Sequence, residues 1–154
     1  MHHELRNKKR GITEAVAREL LERGEYGILS TCDPDGQPYG IPLSYCVMNN
    51  NVYFHCAVEG HKLVNIAADN RVSFCVVGTT EVLPSEFTTS YESVIISGRA
   101  TEVAGDEKQL AMEGLVAKYS AGFQTKGRDY IAAAWEQTKV FRVGIEAICG
   151  KARR

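Results

Sequence analysis

Few features of this 154-residue sequence assign it a class at once, and each one it lacks narrows the field. No apolar run approaches the roughly 20 residues that a membrane helix requires. The opening Met1-His2-His3-Glu4 is polar where a secretory leader would be apolar, so a cytoplasmic protein is expected. Neither sign of charge is in excess: 18 Lys and Arg stand against 19 Asp and Glu, a net charge of -1. General attraction to nucleic acid or to an anionic membrane is therefore not expected. Cys32, Cys46, Cys56, Cys75 and Cys149 are odd in number and contain no Cys-x-x-Cys pair, and four of them sit in apolar, strand-like segments. Reduced core thiols are expected in place of a disulfide framework or a zinc site. The chain has no Gly-x-Gly-x-x-Gly, no P-loop, no internal repeat and no interdomain linker.

What is present suits one domain over residues 1–154, since 44% hydrophobic and 24% charged residues are ordinary for a globular core of this length. Arg6-Asn7-Lys8-Lys9-Arg10 is too short and isolated a basic run to be more than a solvated lead-in. Thr13 to Arg23 reads as a helix, with Thr13 as its cap, Ile12, Val16 and Leu20 on one face and Gly24 to end it. Strands are expected at Tyr26–Thr31, Pro38–Cys46, Val52–Cys56, Arg71–Thr79, Tyr91–Val103 and Lys139–Cys149. Asp33-Pro34-Asp35-Gly36 and Asn49-Asn50-Asn51 are turn signals. Pro42 favours an edge strand or a bulge, and Gly98 a bend or bulge in a long strand. A helix is expected from Asp106 to about Tyr119, then a loop over Ser120–Gly127 and a short helix containing Tyr130 to Glu136. Lys151, Arg153 and Arg154 read as a solvated tail. Six strands joined mostly by tight turns predict an antiparallel barrel with peripheral helices, a mainly β (α+β) fold.

The most informative stretch is Tyr53-Phe54-His55-Cys56-Ala57-Val58-Glu59-Gly60-His61-Lys62. It reads as a strand, a loop closed by Gly60, and a helix beginning with two basic residues. A helix start presents unpaired N–H groups and the positive end of the peptide dipole, so it suits an anion such as a phosphate. Gly60 permits close approach to the backbone. Lys62 adds a full charge at a place where a lysine is unfavourable unless an anion compensates it. Strand alternation turns Val52, Phe54 and Cys56 inward and leaves Tyr53, His55 and Ala57 outward, so His55 faces a groove, a partner subunit or solvent. A lone strand histidine is more often structural than catalytic; proximity to Gly60-His61-Lys62 is what makes His55 a site candidate.

Together with Gly27-Ile28-Leu29-Ser30-Thr31 and Gly40-Ile41-Pro42-Leu43-Ser44-Tyr45, that stretch resembles the flavin-binding split barrels related to pyridoxamine 5′-phosphate oxidase, and most of all their nitroimidazole-resistance (Nim-like) branch. Asn65, Asn70-Arg71-Val72-Ser73-Phe74, Ser97-Gly98-Arg99-Ala100 and Gly150-Lys151 fit the same pattern, which covers nearly the whole chain. The resemblance implies a six-stranded split barrel that forms a homodimer and holds FMN in grooves at the subunit interface. It implies that Pro42, Leu43, Ser44 and Tyr45 line the flavin ring and that Phe54, His55, Cys56 and Ala57 run beside the ring and ribityl chain. His61 and Lys62 would hold the phosphate with Asn65 nearby, and Ser30 and Thr31 would add contacts. Trp135 would cap the flavin from the partner subunit, or else serve as a packing residue. The arginine-rich substrate motifs of the oxidase itself are missing, so oxidation of vitamin B6 does not carry over.

The function implied is an oxidoreductase in which FMN takes a hydride from a reduced nicotinamide and passes electrons to a small acceptor, such as a nitroaromatic, with His55 as a proton donor. Two other readings use the same fold. One is a flavin carrier or sensor without turnover; the other is a haem-binding split barrel, for which His2, His3, His55 and His61 supply imidazoles.

Overall fold

The computed structural model describes residues 3–154; His2 lies outside the described residues. Among these residues the helices are α1 (Glu14–Arg23), α2 (His61–Ala68), α3 (Gly105–Tyr119) and α4 (Gln124–Ala134). The strands are β1 (Gly27–Cys32), β2 (Pro38–Leu43), β3 (Cys46–Met48), β4 (Asn51–Ala57), β5 (Arg71–Val77), β6 (Glu81–Leu83), β7 (Thr88–Val103) and β8 (Thr138–Arg153). All pairings are antiparallel, in the order β2-β1-β5-β7-β8-β4-β3, with β6 attached to β7 alone. The two end strands, β2 and β3, do not pair with each other, so the sheet curls without closing: it is a split barrel.

The six strands expected from the sequence become eight for two physical reasons. The expected strand Pro38–Cys46 breaks at Ser44-Tyr45, and its halves lie at opposite ends of the sheet. The break occurs because Tyr45 turns inward and is fully buried. Its ring meets Phe74 edge-on at 4.9 Å, and its hydroxyl donates to the Leu21 carbonyl. Burial pushes the Tyr45 phenol far above its ordinary value. The eighth strand, β6, is a short hairpin partner of β7 ahead of Pro84.

Elsewhere the local chemistry acts as its residue types dictate. Thr13 caps α1, its hydroxyl accepting from the Val16 N–H at 3.3 Å, and Gly24 follows the last turn. The buried face of α1 is Ala17, Leu20 and Leu21, rotated from the expected stripe, and Ile12 and Val16 are only half-buried. Pro42 lies on the edge strand β2, as a residue without an N–H must. Asn49 and Asn50 take left-handed conformations (φ 50° and 63°) in the turn between β3 and β4. The register of β7 against β8 shifts at Ser97/Gly98, where a side chain on Gly98 would overlap the Gly144 carbonyl oxygen. Lys151 and Arg153 do not form a tail: they are the end of β8, and Arg154 beyond them reaches Glu92.

Two apolar clusters result. One fills the barrel with Leu29, Val52, Phe54, Phe74, Val94 and Ile96 among others. The other joins the outer face of β4 and β8 to α3 and α4 through Tyr53, Val140, Met112, Leu115 and Ile131. No described helix is long and apolar enough to cross a membrane.

Candidate functional site

The inward and outward faces of β4 are as the alternation predicts: Val52, Phe54 and Cys56 join the barrel core, while His55 and Ala57 remain exposed. Tyr53 is the exception, being 2% exposed under α3. Its hydroxyl donates to Glu107 at 2.6 Å, and Arg142 donates to both oxygens of that carboxylate at 2.9 and 2.8 Å. Burial and the Glu107 bond raise the Tyr53 phenol to about 12.

Beyond β4 the chain enters α2 through Gly60, whose φ of 148° is costly for any residue with a Cβ. No side chain caps this helix start, and its first turn contains no acidic residue. Its free N–H groups and the Lys62 ammonium therefore form a locus of positive potential. Tyr39 of β2 stacks on the His61 ring with centroids 4.2 Å apart, tying the helix start to the sheet edge. One turn on, Asn65 is completely buried and donates from Nδ2 to the Thr31 hydroxyl at 3.0 Å, while its Oδ1 has no partner. A half-turn of the carboxamide would let Thr31 donate to the oxygen and free the NH₂ donors, the orientation an anion would select.

Lys62 links this locus to a second feature. Partial desolvation first, and the Lys62 charge second, shift the His55 imidazole below its ordinary value, which favours its neutral form at pH 7. His55 lines a cleft of about 470 Å³ between the sheet and the α3–α4 hairpin. Ser44, His55 and Thr138 form its sheet wall; Met112, Leu115, Val116 and Ile131 form its apolar helical wall. Tyr119, Phe123 and Tyr130 add aromatic rings, and among the described residues Lys126 is the one lining residue with a permanent charge. The Ser44-Tyr45 segment is clamped against α3. The Tyr119 hydroxyl accepts from the Tyr45 N–H at 3.1 Å and donates to the Glu25 carbonyl at 2.6 Å. The Lys118 ammonium donates to the Tyr45 carbonyl at 3.0 Å and sits 3.6 Å from the centre of the Tyr45 ring.

The sequence-predicted residues thus fall into distinct places. Thr31, Asn65, His61 and Lys62 gather around α2, and Ser44 and His55 share the cleft. Ser30 and Pro42 are exposed on the opposite side of β1 and β2 from Thr31, and Leu43 is half-buried against the barrel core. Tyr45, Phe54 and Cys56 point into the core, so only their backbones are open to a ligand; Phe54 stacks on Phe141 at 5.5 Å. Trp135 is half-buried against the second cluster, with the Lys108 ammonium 4.2 Å from its ring centre, and acts within this chain as a packing residue. The sequence places Ser120–Gly127 in a loop, whereas α4 begins at Gln124, so the α4 side of the wall is not visible in it. The signal for it is Phe123 (64% exposed) and Tyr130 (68%), two aromatic residues in an otherwise polar stretch.

An open antiparallel barrel with a cationic helix start beside a lined cleft defines the class. The family model described as pyridoxamine 5′-phosphate oxidase matches residues 13–152, and the chain belongs to that family. Comparison with curated proteins gives no match. Among solved structures, the chain is similar to a candidate 5-nitroimidazole antibiotic resistance protein from Bacteroides thetaiotaomicron (TM-score 0.75, 19% identity, 99% of this chain and 95% of that one). It is also similar to an FAD-binding protein from Mesorhizobium loti (TM-score 0.67, 23% identity, 94% and 98%). A third is the FAD- and haem-binding protein from Mycobacterium smegmatis (TM-score 0.79, 16% identity, 96% and 74%). At these identities the likeness establishes the fold.

Proposed function

We propose that this protein is an FMN-binding flavoprotein oxidoreductase that works as a homodimer, using a reduced nicotinamide as donor and a small oxidised molecule, nitroaromatics included, as acceptor. The observation that carries the reading is the uncapped, acid-free start of α2 at Gly60-His61-Lys62, whose ammonium is also felt by His55 at the cleft. The residues fit a flavin phosphate: free helix amides, a lysine, an open glycine and a buried amide with an unpartnered atom. When bound, the flavin supplies two-electron chemistry between the nicotinamide and the acceptor. The chain supplies the rest. Lys62 and the His61 and Lys62 amides hold the phosphate, and the backbone of Pro42 to Tyr45, fixed by Lys118 and Tyr119, flanks the ring. His55, whose neutral form is favoured at pH 7, can accept or donate a hydrogen bond at the ring edge without a competing charge. That flavin- and haem-binding proteins share the fold supports the reading, although vitamin B6 oxidation is not proposed.

The homodimer has a surface to form on. Register aligns Pro42, Ile28, Cys75, Ile95 and Cys149 in one apolar row across the outer face of β2, β1, β5, β7 and β8. Ile95, near its middle, is 49% exposed.

The test is an absorption spectrum of the purified protein, identification of the released chromophore, and anaerobic addition of NADH or NADPH. Released FMN that is bleached by the nicotinamide and restored by an acceptor is the expected result. A Soret band would assign haem instead, and flavin inert to both nicotinamides would assign a carrier.

A further inference from the structure

We infer that the β6–β7 hairpin is a docking arm: its tip, Phe87, packs against the α3–α4 hairpin of a second copy of this chain. The inference rests on the homodimer reading and adds to it the segments that meet. β6 pairs with β7 alone, so the hairpin stands off the barrel, with Glu81 opposite Ser90, Val82 opposite Thr89 and Leu83 opposite Thr88. Pro84 opens the short turn at its tip, and the Phe87 N–H donates to the Pro84 carbonyl at 3.2 Å. Phe87 itself is left-handed (φ 53°), a conformation that suits glycine or asparagine and is costly for a bulky residue. Its ring is nevertheless 96% exposed. Within one chain nothing offsets either cost. A rigid anchor that a partner buries accounts for both.

Register identifies the face that the arm extends. Thr89, Tyr91, Ser93 and Ile95 alternate onto one side of β7; Val82 joins them opposite Thr89, and Val77 opposite Ser93. The exposed Val77 and Val82 therefore prolong the apolar surface around Ile95 on which the dimer is proposed to form. Ile95 lies midway along β7. At one end of that strand is the arm, and at the other Val103 packs with Leu115 and Ile131 beneath the α3–α4 hairpin. The two hairpins thus occupy opposite ends of the β7–β8 ribbon and do not meet within one chain. An isologous pairing exchanges those ends when its two-fold axis passes near Ile95, between the facing sheets and across the strands. Each arm then lies on the other copy's α3–α4 hairpin and covers the rim of its cleft. The surfaces are complementary. Residues 78–91 hold Glu81 and Glu86 and no Lys or Arg, and among the described residues neither glutamate has an ion-pair partner. Phe123, Lys126 and Tyr130, spaced by three and four residues, put two exposed rings and an equally unpaired ammonium on one face of α4.

The experiment combines sedimentation velocity of the purified protein over a range of concentrations with photocrosslinking from p-benzoylphenylalanine in place of Phe87. The expected product has twice the mass of the chain, with the crosslink mapped to the α3–α4 hairpin. Phe87→Asn keeps the left-handed turn, so its circular dichroism should match the wild type. Its dimer dissociation constant should rise about tenfold to a hundredfold. Lys126→Glu should raise that constant about threefold to tenfold, and adding Glu86→Lys should recover most of the loss. Three results would overturn the inference while leaving a dimer built on the Ile95 row standing: a crosslink confined to one chain or to another surface, a dissociation constant unmoved by Phe87→Asn, or no recovery by Glu86→Lys. A wild-type protein that stays monomeric at every concentration would overturn the homodimer reading and the arm with it.

Discussion

Lys62 is the residue on which the electrostatics of the site turn, because it contributes at once to the α2 start and to the depressed pKa of His55. Lys62→Ala should therefore raise the His55 pKa part of the way to its ordinary value, burial keeping it from the full shift; an NMR titration of the imidazole reads this directly. The sign for stability follows. A histidine depressed in the fold leaves the unfolded chain binding more protons below about 6.5, so His55 lowers stability as pH falls through that value and is without effect above it. Glu92 acts in the same direction at lower pH. The Thr79 N–H, with Arg23 and Arg154, holds its carboxyl below the ordinary 4.5, so its contribution is complete above that value and lost as pH falls through the depressed one. Glu92→Gln should cost about 1–2 kcal/mol at pH 7, discounted because both arginines are largely exposed, and should flatten the acid limb of a denaturation-versus-pH series. An unchanged acid limb would show that the clamp does not form.

At the scale of elements, the legible parts were those set by local chemistry. The Thr13 cap, the edge position of Pro42, the Asn49-Asn50 turn and the Gly98 irregularity each follow from one residue's backbone constraint, visible without the fold. The start of α2 was legible for the same reason. Illegible were features decided by packing across the chain. Tyr45 breaks a strand because a core cavity takes its ring, and no local signal in Pro38–Cys46 announces that. Tyr53 alternates outward as predicted but is covered by α3 of its own chain, so it cannot serve as part of a face awaiting a partner. Most of the cleft wall belongs to a helix pair whose closeness depends on small residues: a side chain on Gly127 would crowd Val116. Gly98 provides the sharpest elemental prediction. Gly98→Ala forces a methyl onto the Gly144 carbonyl at the β7–β8 shift and should cost about 2–3 kcal/mol or more by chemical denaturation. A loss under 0.5 kcal/mol would mean that the two strands separate readily there.

For the whole molecule, the open barrel exposes the apolar row running from Pro42 to Cys149, and the proposed dimer uses it to complete the flavin groove. Analytical ultracentrifugation should find a dimer, and Ile95→Glu should shift it to monomer with loss of flavin; a monomer that retains flavin would separate assembly from binding. Whether the start of α2 holds the proposed phosphate is decided by titrating the apoprotein with FMN and with riboflavin, which differ only in the phosphate. FMN should bind more tightly, and Lys62→Ala should weaken FMN about tenfold to a hundredfold, equivalent to a charge-assisted contact of roughly 1.5–3 kcal/mol, while leaving riboflavin unchanged. Equal affinity of the wild-type protein for the two flavins would contradict a phosphate site there.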